Sequence, residues 1–252
     1  MNPWICSRRR GARLALAGAL VGTLLGCTAP RQAAAPAAPP DLVALQTLAP
    51  TVQQDMRYAG RHNFMGRRVA GYEAARCWLS RPAAQALAAV QRELAPLGLG
   101  LKVFDCYRPQ AAVDDFVRWG ADLHDQQTKA SYYPNVPKSE LFARGYIAER
   151  SGHSRASTVD LTLVVLDAAR ARGVLLGSIA QGQEIDMGTP FDLFDERSHT
   201  DNPALGVSVR HNRQWLRAVM ERHGWRNLPE EWWHYTLQRE PYPDRYFNLP
   251  VR

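Results

Sequence analysis

The 252-residue chain lacks any uninterrupted apolar run of the roughly 18 residues that a membrane-spanning helix needs, which excludes a multi-pass membrane protein. It has no internal repeat and no glycine-rich phosphate loop. Cysteine is sparse, at four residues. A strong charge of one sign is also missing once the first residues are set apart. The formal net charge is +7, but Arg8, Arg9, Arg10 and Arg13 all precede the first acid, Asp41. These four of the 31 basic residues leave 27 beyond residue 26, against 24 acidic ones. So small and scattered an excess argues against a nucleic-acid groove, and no nucleic-acid partner is expected. What remains is a globular composition, 46% hydrophobic and 22% charged, sufficient to bury a core.

The N-terminus reads as a targeting segment. Arg8 to Arg13 form a basic stretch, Leu14 to Leu25 an apolar one, and Leu24-Leu25-Gly26-Cys27 follows at once. Those four residues resemble the bacterial lipobox, which implies cleavage before Cys27 and its lipidation; a plain signal peptide with a nearby cysteine is the alternative. Two or three acyl chains make a stable anchor where one does not. Residues 1–26 are therefore expected to be a signal peptide, and residues 27–40, nearly all Ala and Pro after the cysteine, an extended tether. Thr28, not Asp, follows the cysteine, so the expected location is periplasmic, on the outer membrane.

From Asp41 to Arg252 the composition suits one domain. Ala83, Ala86, Leu87, Val90, Leu94 and Leu97 recur at helical spacing behind Pro82 and stop at Gly98. Leu99 to Asp105 alternates as a strand, and Pro109 opens a second helix to about Asp122. Residues 126–150 are polar, with Pro134 and Pro137, and read as a long loop over something. Ser157 to Leu166 is the most strand-like stretch, Val207 to His223 is a third helix ended by Gly224, and Trp232 to Leu237 is a last strand. The irregular interleaving predicts an α+β fold, with a mostly antiparallel central sheet flanked by helices.

Two segments pair an imidazole with a carboxylate: Ser151-Gly152-His153 through Asp160, and Glu231-Trp232-Trp233-His234. Both pairs are at odd offsets, so in a continuous strand their members face opposite sides. The small residues Ser154, Ala156 and Ser157 permit a turn in the first, and Leu228-Pro229 bends the approach to the second. Two imidazoles and one carboxylate suit a catalytic zinc, with a second carboxylate as base. On spacing alone these residues read more readily as satisfied core groups than as metal ligands.

Ser151-Gly152-His153 to Asp160-Leu161-Thr162-Leu163, with Glu231-Trp232-Trp233-His234-Tyr235, resembles the zinc D-alanyl-D-alanine dipeptidases. Tyr58-Ala59, Asn63-Phe64, Asp105-Cys106-Tyr107-Arg108-Pro109-Gln110, Met187 to Asp192 and Asp195 to His199 match the family's blocks in order, from about residue 41 to about 245. The resemblance implies one zinc on His153, Asp160 and His234, with Glu231 as general base and Arg108 facing the scissile carbonyl. It also implies recognition of the amino terminus of D-Ala-D-Ala by Asp192, helped by Tyr58 and Ser151. Read without it, Arg108 is an ordinary arginine before a helix, and Asp192 is a partner for Arg197. Two departures stand out: Ala156 where the family usually has Gly, and an insertion over residues 167–186, expected to close over the pocket together with the 126–150 loop. Trimming of longer wall peptides, as a D,D-carboxypeptidase or endopeptidase, and a non-catalytic zinc-stabilised wall-binding lipoprotein are the competing readings. Oligomeric state is not legible.

With Cys6 removed with the signal and Cys27 acylated, Cys77 and Cys106 remain. The helix from Pro82 climbs about as far as the following strand returns, which brings the two cysteines level, and an exported protein meets an oxidising compartment. A Cys77–Cys106 disulfide is the expectation, two buried free thiols the alternative.

Overall fold

The computed structural model describes residues 41–252. The signal peptide, the tether and Cys27 lie outside the described residues. Chain order is β1 (Leu42–Ala44), α1 (Leu45–Leu48), β2 (Gln53–Gln54), β3 (Trp78–Ser80), α2 (Arg81–Leu94), β4 (Leu99–Asp105), α3 (Gln110–Ala121) and α4 (Lys129–Tyr132). It continues through β5 (Thr158–Val165), α5 (Ala168–Ala171), α6 (Val207–Arg222), β6 (Trp225–Leu228) and β7 (Glu231–Leu237).

Helix α2 forms where Pro82 presets the first turn and Ala83, Leu87, Val90 and Leu94 share one buried face. A short 3-10 turn follows, and Gly98 at φ 72° ends it, in a left-handed conformation where a Cβ would fall 2.5 Å from the Asp167 carbonyl. Inside the helix, the buried Gln91 accepts from the Leu101 N–H at 2.8 Å, which ties α2 to β4.

Five strands form the main sheet, in the order β2-β4-β5-β7-β6, and β1 pairs with β3 separately. The sheet is mostly antiparallel, as expected, but it is mixed: β2 runs parallel to β4. Every residue of β5, the central strand of the sheet, is buried, the polar Thr158, Asp160 and Thr162 included. Register then does the work of assembly. Asp105 on β4 stands opposite Asp160 on β5, and Asp160 opposite His234 on β7, so three neighbouring strands present these side chains in one row at one end of the sheet.

The insertion over 167–186 corrects an expectation. It begins at the far end of β5 from Asp160, and returns along it through Val165 N–H to the Gln183 carbonyl and Ile185 N–H to the Leu163 carbonyl. It therefore packs against the sheet's opposite end and not over the cleft. The polar 126–150 stretch holds α4 and a 3-10 turn at Lys138–Glu140, and only its last residues reach the cleft. Cys77 and Cys106 are disulfide-bonded, with Cα atoms 5.2 Å apart, joining the chain before β3 to the end of β4. The C-terminal segment packs beneath the His153 turn: Phe247 N–H donates to the Ser154 carbonyl at 2.9 Å, and Glu240 binds Arg155 through both oxygens at 2.8 Å.

Candidate active site

Between Ser151 and β5 the chain makes a 3-10 turn, Gly152–Arg155, capped by the Ser151 hydroxyl, which accepts from the His153 N–H. Ala156 closes it in the left-handed region, at φ 61°. This reversal carries His153 round to face the strand it precedes: Nε2 lies 3.3 Å from Asp160 Oδ1. A different irregularity brings Glu231 beside His234. Asn227 on β6 pairs with Tyr235, but the next residue, Leu228, pairs with Glu231, so Trp232, Trp233 and His234 have no partner on β6, while His234 keeps its place opposite Asp160 on β5. Glu231 Oε2 consequently sits 3.2 Å from His234 Nδ1, which is itself 3.1 Å from Asp160 Oδ1.

His153, Asp160 and His234 each offer one ligand atom, all within 4.8 Å of one another. Their chemistry fits a divalent cation. His153 Nδ1 is 2.7 Å from the Cys106 carbonyl and must donate to it, which leaves the Nε2 lone pair free and directed at the cluster. Neither His153 Nε2 nor Asp160 Oδ1 has a hydrogen-bond partner, although both are buried, the mark of atoms awaiting a ligand. Burial alone depresses the His234 pKa, yet Asp160 and Glu231 outweigh it and raise it to about 10. Burial opposes ionisation of Asp160, but the two imidazoles hold it below the usual carboxylate range.

Arg108 is sandwiched between aromatic faces, its guanidinium carbon 5.0 Å from the centres of both the Tyr58 and the Phe116 rings. Its Nε donates to Asp105 Oδ2 at 2.9 Å, and its other nitrogens approach Ser151 Oγ at 3.5 Å and Asp160 Oδ2 at 3.7 Å. Burial works against its charge, but Asp105, Tyr58, Tyr72 and Asp160 hold it firmly protonated. The ordinary surface arginine of the residue-level reading is thus excluded.

Asp192 does not pair with Arg197, which binds Asp195 instead. Both oxygens of Asp192 accept from the Tyr58 hydroxyl, at 3.1 and 2.9 Å, in a fully buried setting. Burial, reinforced by the charge of Asp160, pushes its carboxyl well above the usual range, against the pull of Tyr58 and Arg108. Like Ala156, it has a left-handed backbone, at φ 63°. Tyr58, Arg108, Asp160, Asp192, Glu231 and His234 line a cavity of about 300 Å³ walled by Phe64, Tyr146 and Phe194. The described residues that line it include none from 167–186.

Sequence reasoning assigned no role to Asp105 or Tyr72. Asp105 is fully buried and serves Arg108 and His153 together, its Oδ2 3.4 Å from His153 Nδ1, while the Tyr72 hydroxyl donates to its Oδ1 at 2.6 Å. The signal available was the three-residue spacing from Asp105 to Arg108; nothing local points to Tyr72.

A cage of two imidazoles and a carboxylate, open toward a cleft that holds a further carboxylate and a buried cation, is built as a hydrolytic centre and not as a structural cross-link. Comparison with known proteins makes the class specific. Residues 39–252 match the peptidase family described as D-ala-D-ala dipeptidase. The chain is 44% identical over 200 residues, 79% of its length and 93% of the relative's, to a D-alanyl-D-alanine dipeptidase of Enterococcus faecalis. Enterococcus faecium and Streptomyces coelicolor have proteins of the same name, 40% identical over 201 residues (80% of this chain, 93% of the relative) and 41% over 211 (84% and 98%). The chain belongs to this peptidase family.

Proposed function

We propose that the chain hydrolyses the free dipeptide D-Ala-D-Ala in a zinc-dependent reaction with Glu231 as general base. The observation that carries the reading is the convergence of His153 Nε2, Asp160 Oδ1 and His234 Nδ1, with Glu231 at its edge, in a cleft of dipeptide size. The names of the relatives support the substrate. Zinc held by His153, Asp160 and His234 supplies Lewis acidity and makes water nucleophilic near neutral pH.

The chain's own groups do the rest. Glu231 takes the proton of the attacking water and delivers it to the leaving amine. Arg108, already charged and fixed by Asp105 and two aromatic faces, neutralises the oxygen of the scissile carbonyl as charge develops there, with no reorganisation needed. Asp192, aligned by Tyr58, receives the substrate ammonium, and Ser151 lines the same wall. Burial withholds a positive partner from Asp192, and a zwitterionic dipeptide brings one. A small cavity and a buried acid for the amine favour this reading over trimming of longer stem peptides, and a non-catalytic zinc site has no use for Glu231 or Arg108.

The proposal includes export and anchoring through Cys27, which rest on the sequence alone. Mature protein then begins at Cys27 and partitions with membranes, and Cys27→Ala releases or stalls it. Glu231→Ala tests the mechanism: it keeps stoichiometric zinc and loses roughly 10² to 10⁴ in kcat. Retained turnover contradicts the base assignment.

A further inference from the structure

The bulge that turns Glu231 toward His234 leaves Trp232, Trp233 and His234 without partners on β6, and a single side chain spans the gap. Asn227 Nδ2 donates to the Glu231 carbonyl and to the His234 carbonyl, both at 3.0 Å. Its two amide hydrogens thus hold the backbone of the proposed base and of a proposed ligand. The amide's orientation is determined by its other end, where Oδ1 accepts from the Thr200 hydroxyl at 2.6 Å. A flipped amide would set its oxygen against two carbonyls. Thr200 is fully buried, and its own N–H donates to the Pro229 carbonyl at 2.8 Å, within the turn between β6 and β7.

We infer that Asn227, oriented by Thr200, is the positioning residue for Glu231. The inference rests on the proposed reaction but concerns a residue that touches neither substrate nor zinc. In a regular β7, Glu231 and His234 face opposite sides of the sheet. The bulge reverses this, and the Asn227 amide supplies the hydrogen bonds that the interrupted ladder cannot. A bulge without that clamp relaxes toward regular pairing, which swings the Glu231 carboxylate away from the attacking water. A displacement of the order of 1 Å at a reacting group is worth about a hundredfold in rate.

The test uses the purified, zinc-loaded protein on D-Ala-D-Ala. Asn227→Ala is expected to lower kcat about ten- to hundredfold, with KM and zinc stoichiometry changed by less than about twofold. Thr200→Val, which keeps the shape and removes the hydroxyl, lowers kcat in the same sense, and Thr200→Ser restores it. The double variant Asn227→Ala/Thr200→Val is no slower than Asn227→Ala alone, since the two act as one unit. A crystal structure of Thr200→Val or Asn227→Ala, a readout independent of turnover, shows Glu231 Oε2 withdrawn from its 3.2 Å approach to His234. Unchanged kcat in both single variants, additive losses, a proportional loss of zinc, or a variant structure with the bulge intact overturns the inference. Wild-type protein inactive on D-Ala-D-Ala is a failure of the proposed function instead, and the variant structures then still decide whether Asn227 holds the bulge.

Discussion

Two residues beside the site, Ala156 and Asp192, adopt the left-handed backbone that disfavours side chains, and both redirect the chain where function needs it. At Ala156 the conformation reverses the chain after His153, and the buried methyl group offsets part of the strain. Glycine there relieves the backbone but loses that packing and gains freedom in the unfolded chain, so Ala156→Gly should move stability by less than about 1 kcal/mol. Ala156→Val places a β-branched side chain at positive φ in a closed space, and denaturant unfolding should register a loss of about 3 kcal/mol or more. At Asp192 the useful variant is Asn, which tolerates the backbone and still accepts from Tyr58 while removing the charge. Asp192→Asn should lower kcat/KM for free D-Ala-D-Ala roughly ten- to hundredfold and leave acetyl-D-Ala-D-Ala nearly unaffected. Equal losses on both substrates would dissociate Asp192 from the amine.

Among the elements, the Cys77–Cys106 bridge closes a span with a sequence separation of 29 around α2 and β4. Chain entropy alone makes it worth about 3 to 4 kcal/mol, and Cys77→Ala/Cys106→Ala should lower unfolding stability by that order. The Asp192 loop is held by Asp195, whose carboxyl the Arg197 guanidinium draws down against the effect of burial, helped by the Arg197 N–H and Asn135, to about 2 from an ordinary 3.8. Because the folded value is the lower one, this contribution is complete above about pH 4 and drains away as pH falls toward 2. It amounts to about 1 kcal/mol once solvent around Arg197 is allowed for. Asp195→Asn should therefore lower stability at pH 7 and flatten its decline between pH 4 and 2; an unchanged acid limb would count against the assignment. At this scale the sequence was most readable where periodicity is long. Helices α2, α3 and α6 and strands β4, β5 and β7 all announce themselves, because each buries a continuous face. Strands β1, β2 and β3 are two or three residues long, and β6 carries Arg226 and Asn227, so no alternation could reveal them. Asn227 and Tyr72 escaped for another reason: their roles come from the bulge and from a partner 33 residues away. His153, Asp160, Glu231 and His234 stand out as two short imidazole–carboxylate segments, but spacing alone left their role open and the resemblance joined them into one site; the insertion was misplaced although it necessarily follows the C-terminal end of β5, whereas Asp160 lies near the N-terminal end.

For the molecule as a whole, the proposed zinc would join the 3-10 turn that carries His153 to the neighbouring strands β5 and β7. Removing it with a chelator should abolish turnover and lower the thermal midpoint, with both restored by zinc. His153→Ala and His234→Ala should each lose stoichiometric metal; either variant retaining it would disprove the ligand set. The measurement that bears most directly on the central claim is steady-state hydrolysis by the purified, zinc-loaded protein, with D-Ala-D-Ala and acetyl-D-Ala-D-Ala compared side by side. Turnover of the free dipeptide is expected, with a kcat/KM for the acetylated one lower by roughly ten- to hundredfold. Equal activity on the two, or none on the free dipeptide, would contradict it.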